Sequence, residues 1–281
     1  MYAARARAFL ISTPPLTNRK LSDWDRVQTQ LWMGSLMQES GIQRPEHIAE
    51  YLASKLQLDR HDFTSFKLYA RGKQHAGRGR GPNAYGEWVE LAARVWPATW
   101  AWFMNPLYFL LQNKELTFDD LLACARSLPQ IFRENLVPPA HAHSPLALCV
   151  SHLPRDLLYA LTDPINPWSL GALACAMRRA ELAGDPGTMR WAGVGILWAI
   201  DYFLETTRSA MHLPLKELRG LVTTDLNNTI YPGQFVMRAP VTHEDVHRFD
   251  LERQRFMDYF ADGEFGSWEP GTTLPWIEKG C

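Results

Sequence analysis

The chain has 281 residues, 46% hydrophobic and 21% charged, a balance that supports one large or two ordinary folded domains and excludes a disordered chain. Its formal net charge of −1 is unevenly placed: residues 1–115 hold 15 Lys and Arg against 10 Asp and Glu, and residues 116–281 hold 14 against 20. Four cysteines, Cys124, Cys149, Cys175 and Cys281, lie far apart with no CxxC pair, which excludes a dense disulfide framework and implies buried free thiols in a reducing cytoplasm.

From the N-terminus, MYAARARAFLISTPP carries two arginines and a short apolar run before Pro14 and Pro15, less than the roughly 7–15 apolar residues of an export signal. The longest apolar stretch elsewhere, Trp191 to Ile200, falls well short of the ~20 residues of a membrane span, so no membrane role is expected. The segment SDWDRVQTQLWMGSLMQES opens with Ser22 and two aspartates, which suit a helix cap and first turn, and Gly41 is placed to end it. Next, RPEHIAEYLASKLQL begins with Pro45 in the first turn and puts Ile48, Leu52 and Leu56 on one face. Asp62 or Thr64 can cap a third helix with Phe63, Phe66, Tyr69 and Ala70 inward, broken at Gly72. A glycine-rich loop leads to a fourth helix, AYGEWVELAARVW, ending at Pro97, and the aromatic run WPATWAWFMNPLYFLL reads as core.

The helical pattern continues through TFDDLLACARSL, SPLALCVSHLPRDLLYALT, NPWSLGALACAMRRAELAG, TMRWAGVGILWAIDYFLETTRSAMH and THEDVHRFDLERQRFMDYFADG. The segment LVPPAHAHSP at 136–145 is the best linker, and no repeat of 20–50 residues is present. Strand signals are scarce. The expected fold is all-α, a multi-helix bundle.

Residues 63–86, FTSFKLYARGKQHAGRGRGPNAYG, concentrate the charge: Lys67, Arg71, Lys73, Arg78 and Arg80, with no acidic residue. A short helix followed by a basic, glycine-rich loop suits a polyanion such as a nucleic acid backbone. SLMQESGI, EHIAEYLA, FTSFKLYARGK and WVELAARVW, in that order, resemble the helix-turn-helix domain of Cro/repressor-like (XRE-type) DNA-binding proteins. Phe66, Tyr69, Gly72 and Lys73 match the aromatic-x-x-Gly ending of that family's recognition helix. The chain departs from the family in its long second helix with LQLDRHD in place of a tight turn, and in the AGRGRGP insertion. The resemblance implies a bacterial transcriptional regulator in which Thr64, Ser65, Lys67 and Arg71 face the groove while Lys73, Arg78 and Arg80 touch phosphates. A helix-turn-helix-like module would then occupy residues 20–115. Residues 116–281 would form an acidic helical domain for homodimerisation, partner docking or effector sensing.

Other motifs support competing readings. The glycine-rich loop lacks the GxxxxGK(S/T) order of a phosphate-binding loop and has no strand before it. His243-Glu244-Asp245-Val246-His247 is a literal HExxH, which on a helix puts two imidazoles on one face for zinc with Glu244 as general base. Its position in a helix's first turn, its charged neighbours Asp245 and Arg248, and a third ligand left to Glu264 or Glu269 favour a chance match. His141, His143 and His152 beside Cys149 read as exposed linker histidines rather than a nucleophile or metal cluster. The expectation is therefore a non-enzymatic DNA-binding protein with no cofactor and no metal. A protein-interaction protein without a nucleic-acid role is the first alternative, and a zinc hydrolase using His243, Glu244 and His247 the second.

Overall fold

The computed structural model describes residues 21–58, 63–77, 87–113, 115–137, 161, 165–183, 185–207 and 209–226. Every regular element among them is helical, so the fold is all-α, a multi-helix bundle as the periodicity predicts. No helix among the described residues is long and apolar enough to cross a membrane. The chain divides into two compact units, Met1–Tyr108 with Thr207–Leu218, and Phe109–Thr206 with Arg219–Cys281.

The first unit is built around α1 (Asp23–Ser40). Ser22 starts it: its hydroxyl accepts from the Asp25 N–H at 3.0 Å, and the Asp25 carboxylate accepts from the Ser22 N–H at 3.2 Å. This reciprocal capping box satisfies two backbone donors that a helix start otherwise leaves open. Gly41, at φ 71°, ends the helix in the left-handed conformation that glycine adopts without strain. In α2 (Pro45–Lys55) Pro45 sits in the first turn, and Ile48, Ala49, Leu52 and Ala53 are buried. α3 (Phe63–Ala70) turns Phe66 and Tyr69 inward, and α4 (Glu87–Val95) buries Trp88, Val89, Leu91 and Ala92. A single-turn helix, α5 (Thr99–Phe103), follows from the aromatic run that the sequence marks as core.

Trp32 is the hub of this core. Its ring lies 6.1 Å from Phe66, 5.8 Å from Tyr69 and 5.8 Å from Phe103, while Phe66 meets Trp88 edge-on at 5.3 Å. These tilted and edge-to-face pairs are the arrangements that ring quadrupoles favour. Each fully buried Leu or Phe in this cluster contributes about 1.5–3 kcal/mol through area removed from water. The first residues of α11 (Ser209–Asp225) close the unit against α1. Gly34 makes that approach close, because a Cβ there would lie 2.9 Å from the Ala210 carbonyl oxygen and 3.0 Å from Met211 Sδ. Ala210 is four residues before Pro214, which has no N–H to give that carbonyl.

The second unit comprises α7 (Phe118–Ser127), α8 (Gln130–Leu136), α9 (Pro167–Ala183) and α10 (Pro186–Thr206), with the rest of α6 (Leu107–Gln112) and of α11. Thr117 and Asp120 repeat the capping box at the start of α7. Every residue of α9 from Ser169 to Ala180 is buried, so α9 is the central helix, with α7, α8 and α10 packed on it. The small residues of GALACA allow that crowding. Arg178 and Arg179 in α9 are buried too, and their guanidinium groups donate to the Asn113 and Leu136 carbonyls at 2.9 Å each. Those carbonyls lie at the C-terminal ends of α6 and α8, where helices leave acceptors open and carry partial negative charge. Arg178 also pairs with Glu181. The apolar run 188–212 reads as one helix in sequence, but α10 ends at Thr206 and α11 begins at Ser209. Cys124 and Cys175 are buried free thiols, as their spacing implies.

Candidate nucleic-acid interface

α3 and the segment after it form a two-sided structure. Phe66 and Tyr69 hold one side of the helix in the aromatic core, while Thr64 and Lys67 are exposed on the other and Ser65 is half-buried. The chain leaves α3 through Gly72 at φ 61°. The Gly72 N–H donates to the Tyr69 carbonyl and the Lys73 N–H to the Leu68 carbonyl, both at 2.9 Å, the paired bonds of a Schellman C-cap. The Arg26 side chain of α1 packs against the position that a Cβ on Gly72 would fill. Glycine is therefore required twice here, for its backbone conformation and for its missing side chain.

Arg71 and Lys73, on either side of Gly72, are exposed, and beyond them His75 is a buried anchor, only 4% exposed. The Gly77 N–H donates to His75 Nδ1 at 3.1 Å, so Nδ1 is the acceptor and the ring proton sits on Nε2, 3.0 Å from Gln28 Oε1. Gln28 is itself oriented by its amide NH2, which donates to the Phe103 carbonyl at 2.6 Å. The Ala76 N–H donates to the Thr29 hydroxyl at 3.3 Å, and Gln30 of α1 reaches the Ala70 carbonyl at 3.5 Å. Asp25 Oδ1 lies 3.9 Å from His75 Nε2. The basic segment up to residue 77 is thus bound to α1 by polar contacts, with the His75 ring against Phe103 of α5, although its composition reads as a loose loop.

The exposed cations differ in their surroundings. Lys67 Nζ lies 3.7 Å from Glu46 Oε1 at the start of α2. The Glu46 carboxyl is held below its ordinary range first by its own backbone N–H and then, against desolvation, by Lys67. Among the described residues Arg71 and Lys73 form no ion pair. Arg78 and Arg80 lie outside the described residues. The structure therefore brings Thr64, Lys67, Arg71 and Lys73 to the exposed side of one helix-and-cap unit, with Ser65 partly covered beside them. Sequence reasoning assigned no part to His75, Gln28 or Thr29. Their signal is tertiary, because a histidine between Lys73 and glycines resembles any solvated loop residue until α1 is folded beside it.

The remaining candidates do not gather. No group of three His, Cys, Asp or Glu among the described residues is placed to hold a metal ion. His243, Glu244 and His247, with Glu264 and Glu269, lie outside the described residues, as do His141, His143, Cys149 and His152. Burial pushes the Cys124 and Cys175 thiols far above their ordinary value, so neither is a ready nucleophile. Comparison of the chain with protein-family models, with curated proteins and with solved structures finds no match.

Proposed function

We propose that the chain is a DNA-binding protein, a transcriptional regulator that grips duplex DNA through residues 64–80. One observation carries the reading: Arg71 and Lys73, with no ion pair among the described residues, project from a segment whose residues 75–77 are anchored in a buried network. Cations held on a rigid support lose less freedom when they meet phosphates than cations on a free loop, so the same charges bind better. Thr64, Ser65, Lys67 and Arg71 are then the groove-facing side chains, and Lys73, Arg78 and Arg80 the phosphate contacts. The acidic part beyond residue 115 would serve dimerisation, partner docking or effector sensing. The Glu46–Lys67 pair favours a second reading, a protein-interaction surface without nucleic acid, because that lysine is already partly neutralised.

Replacing Arg71 and Lys73 together by Ala tests this. The DNA reading expects weaker binding to every duplex sequence and a slope of log K against log salt shallower by roughly 0.9 for each lost phosphate contact. Unchanged affinity and slope in a folded double variant would give the surface to a protein partner instead.

A further inference from the structure

We propose that His75 is a proton-operated latch at the end of the basic segment: neutral, its Nδ1 holds the Gly77 N–H; protonated there, it lets that N–H go while Nε2 keeps its tie to Gln28 of α1. The latch follows from how the two ring nitrogens are used. Gly77 N–H points at Nδ1 from 3.1 Å, which requires a lone pair there, while Nε2 keeps its proton toward Gln28 Oε1 at 3.0 Å. Gln28 cannot present its NH2 to the ring without giving up its 2.6 Å bond to the Phe103 carbonyl, so the donor and acceptor roles are fixed. A second proton, taken from solvent, can only go to Nδ1. There it meets the Gly77 N–H donor to donor, and the bond is lost.

The groups around the ring decide whether that proton can arrive. From α1, the buried Asp25 carboxylate lies 3.9 Å from Nε2 and favours the imidazolium. From α5, the Phe103 ring faces the imidazole at 5.3 Å between centroids and carries no charge. From the segment itself, Arg71 and Lys73 are exposed to solvent, which screens their repulsion. The range of about pH 5–8, where an ordinary histidine changes charge, is the one in which the ring's protonation is followed directly. Gly77 is tightly packed here, since a Cβ there would lie 2.9 Å from Phe103 Cζ and 3.1 Å from His75 Cε1. The consequence for DNA rests on the function proposed above: freeing the Gly77 N–H loosens the end of the support that carries Arg71 and Lys73.

Amide hydrogen exchange on the full chain, with ring nitrogen chemical shifts of His75 read in the same samples, tests the latch from about pH 8 to about pH 5. As the ring takes up its second proton, the protection factor of Gly77 should fall at least about fivefold, the scale of one lost hydrogen bond, while mid-α1 amides hold theirs. A ring that protonates with Gly77 protection intact, or that stays neutral down to about pH 5, would overturn the proposal. His75→Gln removes the titrating group and should abolish the step; persistence of the step in that variant would assign it to another group. Should the variant not fold, the wild-type comparison of ring and amides decides alone. A parallel titration of duplex DNA affinity separates the two proposals, because a latch step without DNA binding at any pH removes the nucleic-acid function and leaves the switch.

Discussion

Gly72 shows how much one residue can settle. Its φ of 61° ends α3, and the Arg26 side chain occupies the space of a Cβ. Gly41 has the same kind of backbone, at φ 71°, with nothing within 4 Å of the place a Cβ would take. The pair separates conformation from packing. Gly41→Ala should cost about 1 kcal/mol through the left-handed backbone alone. Gly72→Ala should cost about 2–3 kcal/mol, because Arg26 must also leave its place and its contacts with Asp23 at 3.2 Å and Glu217 at 3.4 Å. Urea denaturation midpoints at constant m-value check both, and equal losses would mean that Arg26 yields freely. At the same scale, Gly41, Gly72, Ser22 and Pro45 were legible in the sequence, since each acts within its own helix end. His75 was not, since every partner that fixes its ring orientation from α1 or α5 lies on another element.

At the scale of helices, α10 and α11 are joined by a buried ion pair that tests how charge is carried in the second unit. Arg219 meets both oxygens of Asp201, through Nε at 2.5 Å and NH2 at 3.0 Å. Burial raises the Asp201 carboxyl above its ordinary range, and the hydrogen bond and charge of Arg219 pull it back only in part. A carboxyl whose folded pKa is raised contributes stability that is present at low pH and lost as pH rises through the folded value. At neutral pH the ionised pair therefore holds geometry more than it stabilises. Asp201→Ala should destabilise by about 3–5 kcal/mol by stranding the arginine, whereas Asp201→Leu with Arg219→Met should come close to neutral. Unfolding free energies measured against pH should also rise in the wild type on acidification toward the raised value, relative to the double variant. An additive double variant would show that the two charges act independently. Helix ends marked by Ser22, Thr117, Gly41 and Pro45 were readable in sequence. The break between Thr206 and Ser209 was not, because no Pro or Gly marks it.

For the whole molecule, the all-α architecture was legible because apolar residues recur at helical spacing and strand patterns are scarce. Its grouping into units was not, since residues 207–218 belong with the first unit despite their distance in sequence. Such long-range pairing depends on surface fit, such as Gly34 under Ala210, which composition does not encode. The charge asymmetry between the chain's two parts is a property of the sequence, and the first unit supplies the exposed edge of Thr64, Lys67, Arg71 and Lys73 that gives it a direction. Whether this edge holds DNA is decided by the affinity of the wild-type chain for mixed duplex fragments across a series of salt concentrations. A DNA-holding edge gives binding whose log K falls linearly with log salt, with a slope set by several phosphate contacts at roughly 0.9 each. Absence of salt-dependent binding to any duplex, in a chain shown to be folded, would contradict it.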